Sequence, residues 1–298
     1  MTALEVRDLY KSFGEIRAVD GLDFTVNRGD IYGLLGVNGS GKSTTIRLLL
    51  HLIAPDRGRM VISGIPVNGR NLELRRKMGA LIERPDFYNY LSAYKNLEIL
   101  LKYSGLRPDR RLIRKTLQRV GLEKFGDKKV RIFSQGMRQR LGIAQAMIHD
   151  PELIILDEPA NGLDPHGMVD IRNLILRLNR EYGKTIILSS HMLREIEMIA
   201  NRMLIIDGGK AVAEGTVSEL LQSYESRLRL QVSDVNKACA LLEEAGYEPV
   251  EPTDGNEIRC RVKVEEVPAV TRLLVEKNIS VYAVVPEKSL EEYFISLT

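Results

Sequence analysis

The run Gly36-Val37-Asn38-Gly39-Ser40-Gly41-Lys42-Ser43 fits the pattern G-x-x-x-x-G-K-[ST]. Glycines so spaced let the backbone curl until several N–H groups face one anionic centre, and a helix starting there adds its positive N-terminal end. Lys42 would then reach the outer phosphates of a nucleotide and the Ser43 hydroxyl would ligate magnesium. A glycine-rich turn that merely precedes a helix is the alternative. The context argues against it, because Ile31 to Leu35 reads as a strand and Ile46, Leu49 and Leu50 recur at helical spacing.

A second group of reactive side chains follows the apolar run Leu153 to Leu156, which delivers Asp157 and Glu158 at a strand end. Carboxylates there are costly to bury without a partner. Asp157 suits a magnesium shell and Glu158 suits the polarising of an attacking water, although two acids after a strand could also be a solvated turn. Between the two sites lies Phe133-Ser134-Gln135-Gly136-Met137-Arg138-Gln139-Arg140, directly before a helix carrying Leu141, Ala144 and Met147. A serine and a glycine at a helix start make a second phosphate-binding end with no lysine of its own. Such an end makes sense only if it closes on a nucleotide held elsewhere.

Positioning these residues requires alternating strands and helices. Leu4 to Leu9, Leu22 to Val26, Ile31 to Leu35 and Met60 to Ile62 read as strands, and about 85–150 turns mostly helical, with Leu97, Leu100 and Leu101, then Leu112, Ile113, Leu117 and Val120. Strands at Leu153 to Leu156, Thr185 to Leu188 and Met203 to Ile206 then alternate with helices at Ile171 to Leu178 and Leu193 to Ala200. The order predicts an α/β domain with a mainly parallel, doubly covered sheet. After Ser223 the style changes. Leu228, Leu230 and Val232 alternate, a helix spans Asn236 to Ala245, and Ile258, Cys260, Val262 and Val264 alternate. Pro268 then sits near a helix start, Ile279 to Val285 reads as a strand, and Ser289 with Glu292 forms a capping box. This βαββαβ-like order predicts a small α+β domain over 225–298, separate from the nucleotide domain over 1–222.

The series of motifs over 1–220 resembles the ABC ATPases, a branch of the P-loop NTPases: cradle, helical insertion, signature at Ser134, acidic strand end, Asn161-Gly162-Leu163-Asp164, and Ser190-His191 after a strand. The resemblance implies an ATP-hydrolysing domain that uses ATP and Mg2+. Its nucleotide contacts are Gly36, Asn38, Gly39, Ser40, Gly41, Lys42, Ser43 and Thr44, with Ser43 and Asp157 on the metal. It also implies that Glu158 acts on the attacking water and that His191 senses the terminal phosphate. Phe13, or second to it Tyr10, would stack on adenine, though either could simply pack on a strand face. Ser134 and Gly136 would touch the nucleotide of an opposite subunit, with Asp164 ending the loop that links the two sites. The protein would therefore work as a homodimer, or paired with a homologous ATPase.

Two departures narrow the branch. Phe133-Ser134-Gln135-Gly136-Met137 replaces the family's Leu-Ser-Gly-Gly-Gln, as it does in similar variants that serve ABC-2 type permeases. Glu83, in Met78-Gly79-Ala80-Leu81-Ile82-Glu83-Arg84-Pro85, takes the place of the glutamine that contacts magnesium and the permease. This looks like the glutamate-loop exporters, which include bacitracin-resistance and lantibiotic self-protection systems. A carboxylate there adds charge beside the metal, unless it only mimics glutamine geometry. The C-terminal run Lys288-Ser289-Leu290-Glu291-Glu292-Tyr293-Phe294 resembles the tail of many ABC-2 type ATPases.

Composition sets the limits. With 43 Lys and Arg against 40 Asp and Glu, the net charge of +3 gives no reason to expect nucleic acid. It conceals a local excess, since Lys102 to Arg140 holds 13 Lys and Arg against Asp109, Glu123 and Asp127. That run is either a solvated helical surface or a face near lipid or permease. No apolar run approaches the ~20 residues of a membrane helix and no signal peptide opens the chain. Cys239 and Cys260 lack paired spacing and are expected as buried free thiols. These features predict a cytoplasmic protein, and the family resemblance implies that it sits on the inner membrane face and powers export of a peptide antibiotic or another amphiphile through a separate integral membrane permease. A soluble or regulatory ATPase acting on ribosomes, DNA or a sensed ligand is the alternative.

Overall fold

The computed structural model describes residues 1–68, 71–83, 85–222, 227–247, 249–253, 255–262 and 266–287. Arg84, Ser223, Val264 and the closing run from Lys288, with the capping pattern at Ser289 and Glu292, lie outside the described residues. The chain divides into two compact units, Met1–Val217 and Ser218–Thr298.

In the first unit, β1 (Thr2–Phe13) and β2 (Ile16–Asn27) form a long hairpin that continues through β4 (Arg57–Ile62) to β5 (Ile65–Pro66). The sheet order is β2-β1-β4-β5 and every pairing is antiparallel. These strands thus make a sheet of their own, apart from the parallel one. The expected strand over Leu4 to Leu9 lies within β1, where a register shift between Val6 and Leu9 and the left-handed Asp8 (φ 51) interrupt the apolar alternation; further shifts follow Leu9.

The second sheet has the order β10-β9-β3-β8-β7-β6. Its members are β3 (Ile31–Leu35), β6 (Met78–Leu81), β7 (Leu153–Leu156), β8 (Thr185–Ser190), β9 (Arg202–Asp207) and β10 (Lys210–Thr216). All neighbours are parallel except the edge pair β9 and β10. Every residue of β3, β7 and β8 is buried, as a parallel sheet covered on both faces requires. Its apolar residues share one core with those of the antiparallel sheet, where Phe24 stacks on Tyr32 at 5.8 Å between centroids.

Helices α1 (Lys42–Leu49), α2 (Leu72–Lys77), α6 (Pro165–Arg180) and α7 (Leu193–Ile199) accompany this sheet. The expected helical stretch contains α3 (Ala93–Tyr103), α4 (Arg110–Arg119), two short 3-10 turns and α5 (Gln135–Met147). Leu97, Leu101, Ile113, Leu117, Val120, Leu141, Ala144 and Met147 are buried there, whereas Leu50, Leu100 and Leu112 are only half-buried. Among the described residues no helix is long and apolar enough to cross a membrane.

A short helix, α8 (Val217–Gln222), spans the boundary between the units. The second unit then runs β11 (Arg227–Val232), α9 (Val235–Glu244), β12 (Pro249–Thr253), β13 (Glu257–Arg261), α10 (Val267–Glu276) and β14 (Val281–Glu287). Its strands lie in the order β12-β13-β11-β14, all antiparallel, the arrangement of a split βαβ unit. Leu228, Leu230, Val232, Ile258 and Cys260 face its core with Ala238, Leu242, Val270 and Leu274 from the two helices. Both cysteines are free. Cys260 is buried, and burial pushes its thiol up to about 11, while Cys239 is only half-buried.

Candidate functional site

The site is built at the carboxyl ends of the parallel strands, where side chains and loops converge beyond the sheet. The buried strand β3 delivers Gly36, and the turn runs to the start of α1. Two of its glycines have no room for a side chain. A Cβ on Gly36 would lie 2.3 Å from Ser40 Oγ and 2.4 Å from the Ile206 carbonyl oxygen. One on Gly41, at φ +111, would lie 2.4 Å from the Ala18 carbonyl oxygen of β2. Val37, Asn38 and Gly39 form the exposed rim. No side chain caps α1, so the N–H groups of its first turn are left to face a ligand. Ser40 Oγ is buried with no hydrogen-bond partner, and Thr44 is half-buried.

Lys42 points into the cradle. Its Nζ donates to the carbonyls of Gly36 (2.7 Å) and Val37 (3.0 Å) and lies 3.9 Å from Glu158 Oε1. Burial pushes its pKa below the usual lysine value, while Glu158 and Asp157 pull it back up. The amine is thus a desolvated cation held by weak acceptors that a phosphate can replace.

The parallel neighbour β7 ends in Asp157 and Glu158. Asp157 is buried and its Oδ1 accepts from Ser189 Oγ at 2.5 Å and, more distantly, from Ser43 Oγ at 3.5 Å. Two ligands adjacent on an octahedral Mg2+ stand ~3 Å apart, so the Ser43 and Asp157 oxygens fit such an ion with little movement. Among the described residues no group of three or more His, Cys, Asp or Glu could hold a metal by itself.

Glu158 sits in left-handed backbone (φ 45), its N–H donating 2.8 Å to Ser189 Oγ. Its carboxylate accepts from Asn161 Nδ2 at 2.8 Å and lies 3.3 Å from His191 Nδ1. Glu83, beyond the end of β6, is also left-handed (φ 57), and Arg47 of α1 donates 2.7 Å to its Oε1. Ser43, Glu83, Gln139, Asp157, Glu158 and Asn161 line one open cavity of about 530 Å³. Two carboxylates in sterically costly conformations at one cavity indicate a geometry held in place by its surroundings.

The structure therefore brings together Lys42, Ser43, Glu83, Asp157, Glu158 and His191. It keeps others apart. Ser134 and Asp164 are the exposed N-caps of α5 and α6, accepting from the N–H groups of Met137 (3.2 Å) and Gly167 (3.1 Å), and neither lines the cavity. Gly136 has nothing within 4 Å of an added Cβ, and Gln135 Nε2 lies 2.9 Å from such an atom on Gly162. Phe13 is 51% exposed at the hairpin tip with Lys11 over its ring at 5.5 Å, so it is not packed on a strand face. The Tyr10 ring is instead covered by Arg57 and lies against Gly21.

Sequence reasoning missed Ser189, Gln139 and Arg47. Ser189 was accessible in principle. The pairing of Leu156 with Leu188 puts the next residues, Asp157 and Ser189, side by side, and a hydroxyl beside an acid near two adjacent strand ends is a pattern the sequence contains.

A family model described as "ABC transporter" matches residues 19–161. Over nearly the whole chain the sequence is 41% identical to the bacitracin transport ATP-binding protein BcrA of Bacillus licheniformis, covering 99% of this chain and 97% of that one. It is 38% identical to an uncharacterised ABC transporter ATP-binding protein, YhcH, of Bacillus subtilis, covering 100% and 96%. Among solved structures, the ATP-binding cassette MJ1267 in its ADP conformation matches with a TM-score of 0.68 at 27% identity, over 74% of this chain and 92% of that one. A dimeric post-hydrolysis state of the cassette MJ0796 bound to ADP and Pi matches with a TM-score of 0.63 at 26% identity, over 72% and 98%.

Proposed function

The chain belongs to the ABC transporter ATP-binding subunits and hydrolyses ATP, and from that premise we propose that it drives export of a peptide antibiotic or a similar amphiphile through a separate membrane permease. The observation that carries the cargo class is similarity to a bacitracin transport ATP-binding protein that extends across both units of the chain.

The turnover follows from the site. Incoming phosphates take the place of the Gly36 and Val37 carbonyls on Lys42 and receive the N–H groups of the cradle and of the first turn of α1, with Ser43 and Thr44 at its start. Ser43, Asp157 and Glu83 would hold magnesium, which when bound supplies positive charge beside the transferred group. Arg47 must release Glu83 for that contact. Glu158, aligned by Asn161 and the Ser189 hydroxyl, accepts the proton of the attacking water, and His191 at its other side reaches the terminal phosphate. Phe13 offers an exposed ring to adenine. The exposed Ser134 and the half-buried Gly136, at the start of α5 and outside the cavity, complete the site of a second copy, and Asp164 closes the loop between the two sites. The working unit is then a dimer, peripheral on the cytoplasmic face and docked to the permease.

Affinity purification of the chain from membranes tests this reading. Recovery of an integral membrane protein whose reconstitution with the chain gives ATP-dependent bacitracin transport is the expected result. Recovery with ribosomes or DNA and no membrane partner would overturn it.

A further inference from the structure

Resting on that transporter reading, we propose that the exposed basic face formed by α4 and the turns after it is a docking surface for an anionic lipid bilayer. Helix α4 buries Ile113, Thr116 and Leu117 and turns Arg110, Arg111, Arg114 and Lys115 to solvent. The pairs Arg110 with Arg114 and Arg111 with Lys115 are four residues apart, where like charges repel, and the first of each stands at the positive end of the helix. Helix stability alone therefore disfavours this sequence.

The face continues beyond the helix. Lys124, Lys128, Lys129 and Arg131 are exposed on the following turns, and a groove of about 220 Å³ lined by Arg110, Arg114, Glu123 and Asp127 joins the two stretches. Among the described residues none of these eight cations makes an ion pair. Arg110 stands over the Tyr94 ring, at 6.0 Å. Neighbouring α3 is different, since its Lys95 and Lys102 share Glu98 at 2.7 and 3.6 Å.

Apolar side chains stand among the cations. Phe125 is 42% and Ile132 62% exposed on the same turns. Unpaired Lys and Arg interspersed with exposed aromatic and aliphatic groups suit a headgroup layer, where the charges meet lipid phosphate and the apolar groups enter the boundary below it. A nucleic-acid backbone would match the charges but give Ile132 nothing to contact. No described helix crosses a bilayer, so contact with one must be made from the surface.

Flotation of the full-length protein with two kinds of vesicle tests the proposal, one of phosphatidylcholine alone and one containing about one third phosphatidylglycerol. Binding is expected only to the anionic vesicles and should be released by salt. Replacing Arg111, Arg114 and Lys115 together by Gln should lower the partition coefficient about a hundredfold, and a second variant, Lys128→Gln with Lys129→Gln, by roughly thirtyfold. ATP turnover of the same preparations reports folding and the ATPase reading separately, because flotation needs no hydrolysis. Equal flotation with both vesicles, or unchanged flotation of both variants, would overturn the proposal. So would tighter binding to duplex DNA than to anionic vesicles at the same salt.

Discussion

Replacing Glu158 by Gln separates binding from chemistry. The amide keeps the volume and one acceptor for Asn161, which now donates at 2.8 Å, so the cavity wall should persist. What is lost is the base. General-base assistance contributes about 10²–10⁴ in rate, so a turnover loss near 10³, or about 4 kcal/mol of barrier, is expected. A second effect runs the other way. Lys42 Nζ stands 3.9 Å from Glu158 Oε1, a gross attraction of ~4 kcal/mol at an effective dielectric of about 20. Desolvation of the two ions offsets most of it, leaving on the order of 1 kcal/mol. Without that competitor for the lysine, ATP should bind on the order of fivefold more tightly. Phosphate release at saturating ATP, nucleotide titration and size-exclusion chromatography with ATP read these terms separately. The expected pattern is slow turnover, equal or tighter binding and an accumulated dimer. Turnover within about tenfold of the parent would refute the assignment of Glu158 as the base.

Ser189→Ala should cost about 1–3 kcal/mol of stability and raise the Mg2+ concentration needed for half-maximal turnover, because Asp157 loses a 2.5 Å donor and the Glu158 N–H loses its acceptor; thermal melting and a magnesium titration check both. Gly41→Ala combines φ +111 with a 2.4 Å approach to the Ala18 carbonyl, and should lower stability by about 2–4 kcal/mol together with nucleotide affinity. Burial holds the His149 ring below its ordinary 6.5, against the opposing pull of its 2.7 Å contact with the Met78 carbonyl. The unfolded chain therefore binds the proton more readily. The contribution is fully present above pH 6.5 and is lost as pH falls through the folded-state value, so His149→Gln should flatten the fall in melting temperature on acidification.

The elements that carry strong periodicity were legible in the sequence, and so was the cradle. Ile31 to Leu35 and Leu153 to Leu156 are unbroken apolar runs because both sheet faces are covered, and their ends deliver Gly36 and Asp157. Short or irregular strands were not legible. Met78–Leu81 is four residues containing Gly79, a residue required because an added Cβ would lie within the Ala146 carbonyl, and no local pattern announces it. Pro249 and Pro252 argue against a strand at β12, but at a sheet edge a missing N–H is tolerated. The separate antiparallel sheet was hidden because strand order depends on pairing across distant segments, such as Val6 with Met60. At the site, Asp157 and Glu158 were singled out by type and position and Glu83 by family resemblance, and the structure places all three on one cavity. Arg47 was not, because its pairing with Glu83 links residues that share no sequence pattern. The exposure of Phe13 separates it from the covered ring of Tyr10, a distinction that two aromatics on one strand do not make by themselves.

The central claim is that each nucleotide is held by the cradle of one copy and the signature serine of another. A mixing experiment tests it most directly. Lys42→Ala disables a cradle and Ser134→Arg blocks a signature, so each variant alone should be inactive. A mixed dimer of the two contains one site with both parts intact, made from the cradle of one chain and Ser134 of the other. ATP turnover that appears only on mixing is the result the account predicts. If mixing restores nothing while mixed dimers form, Ser134 acts on the nucleotide of its own chain or on none, and the shared-site account is contradicted.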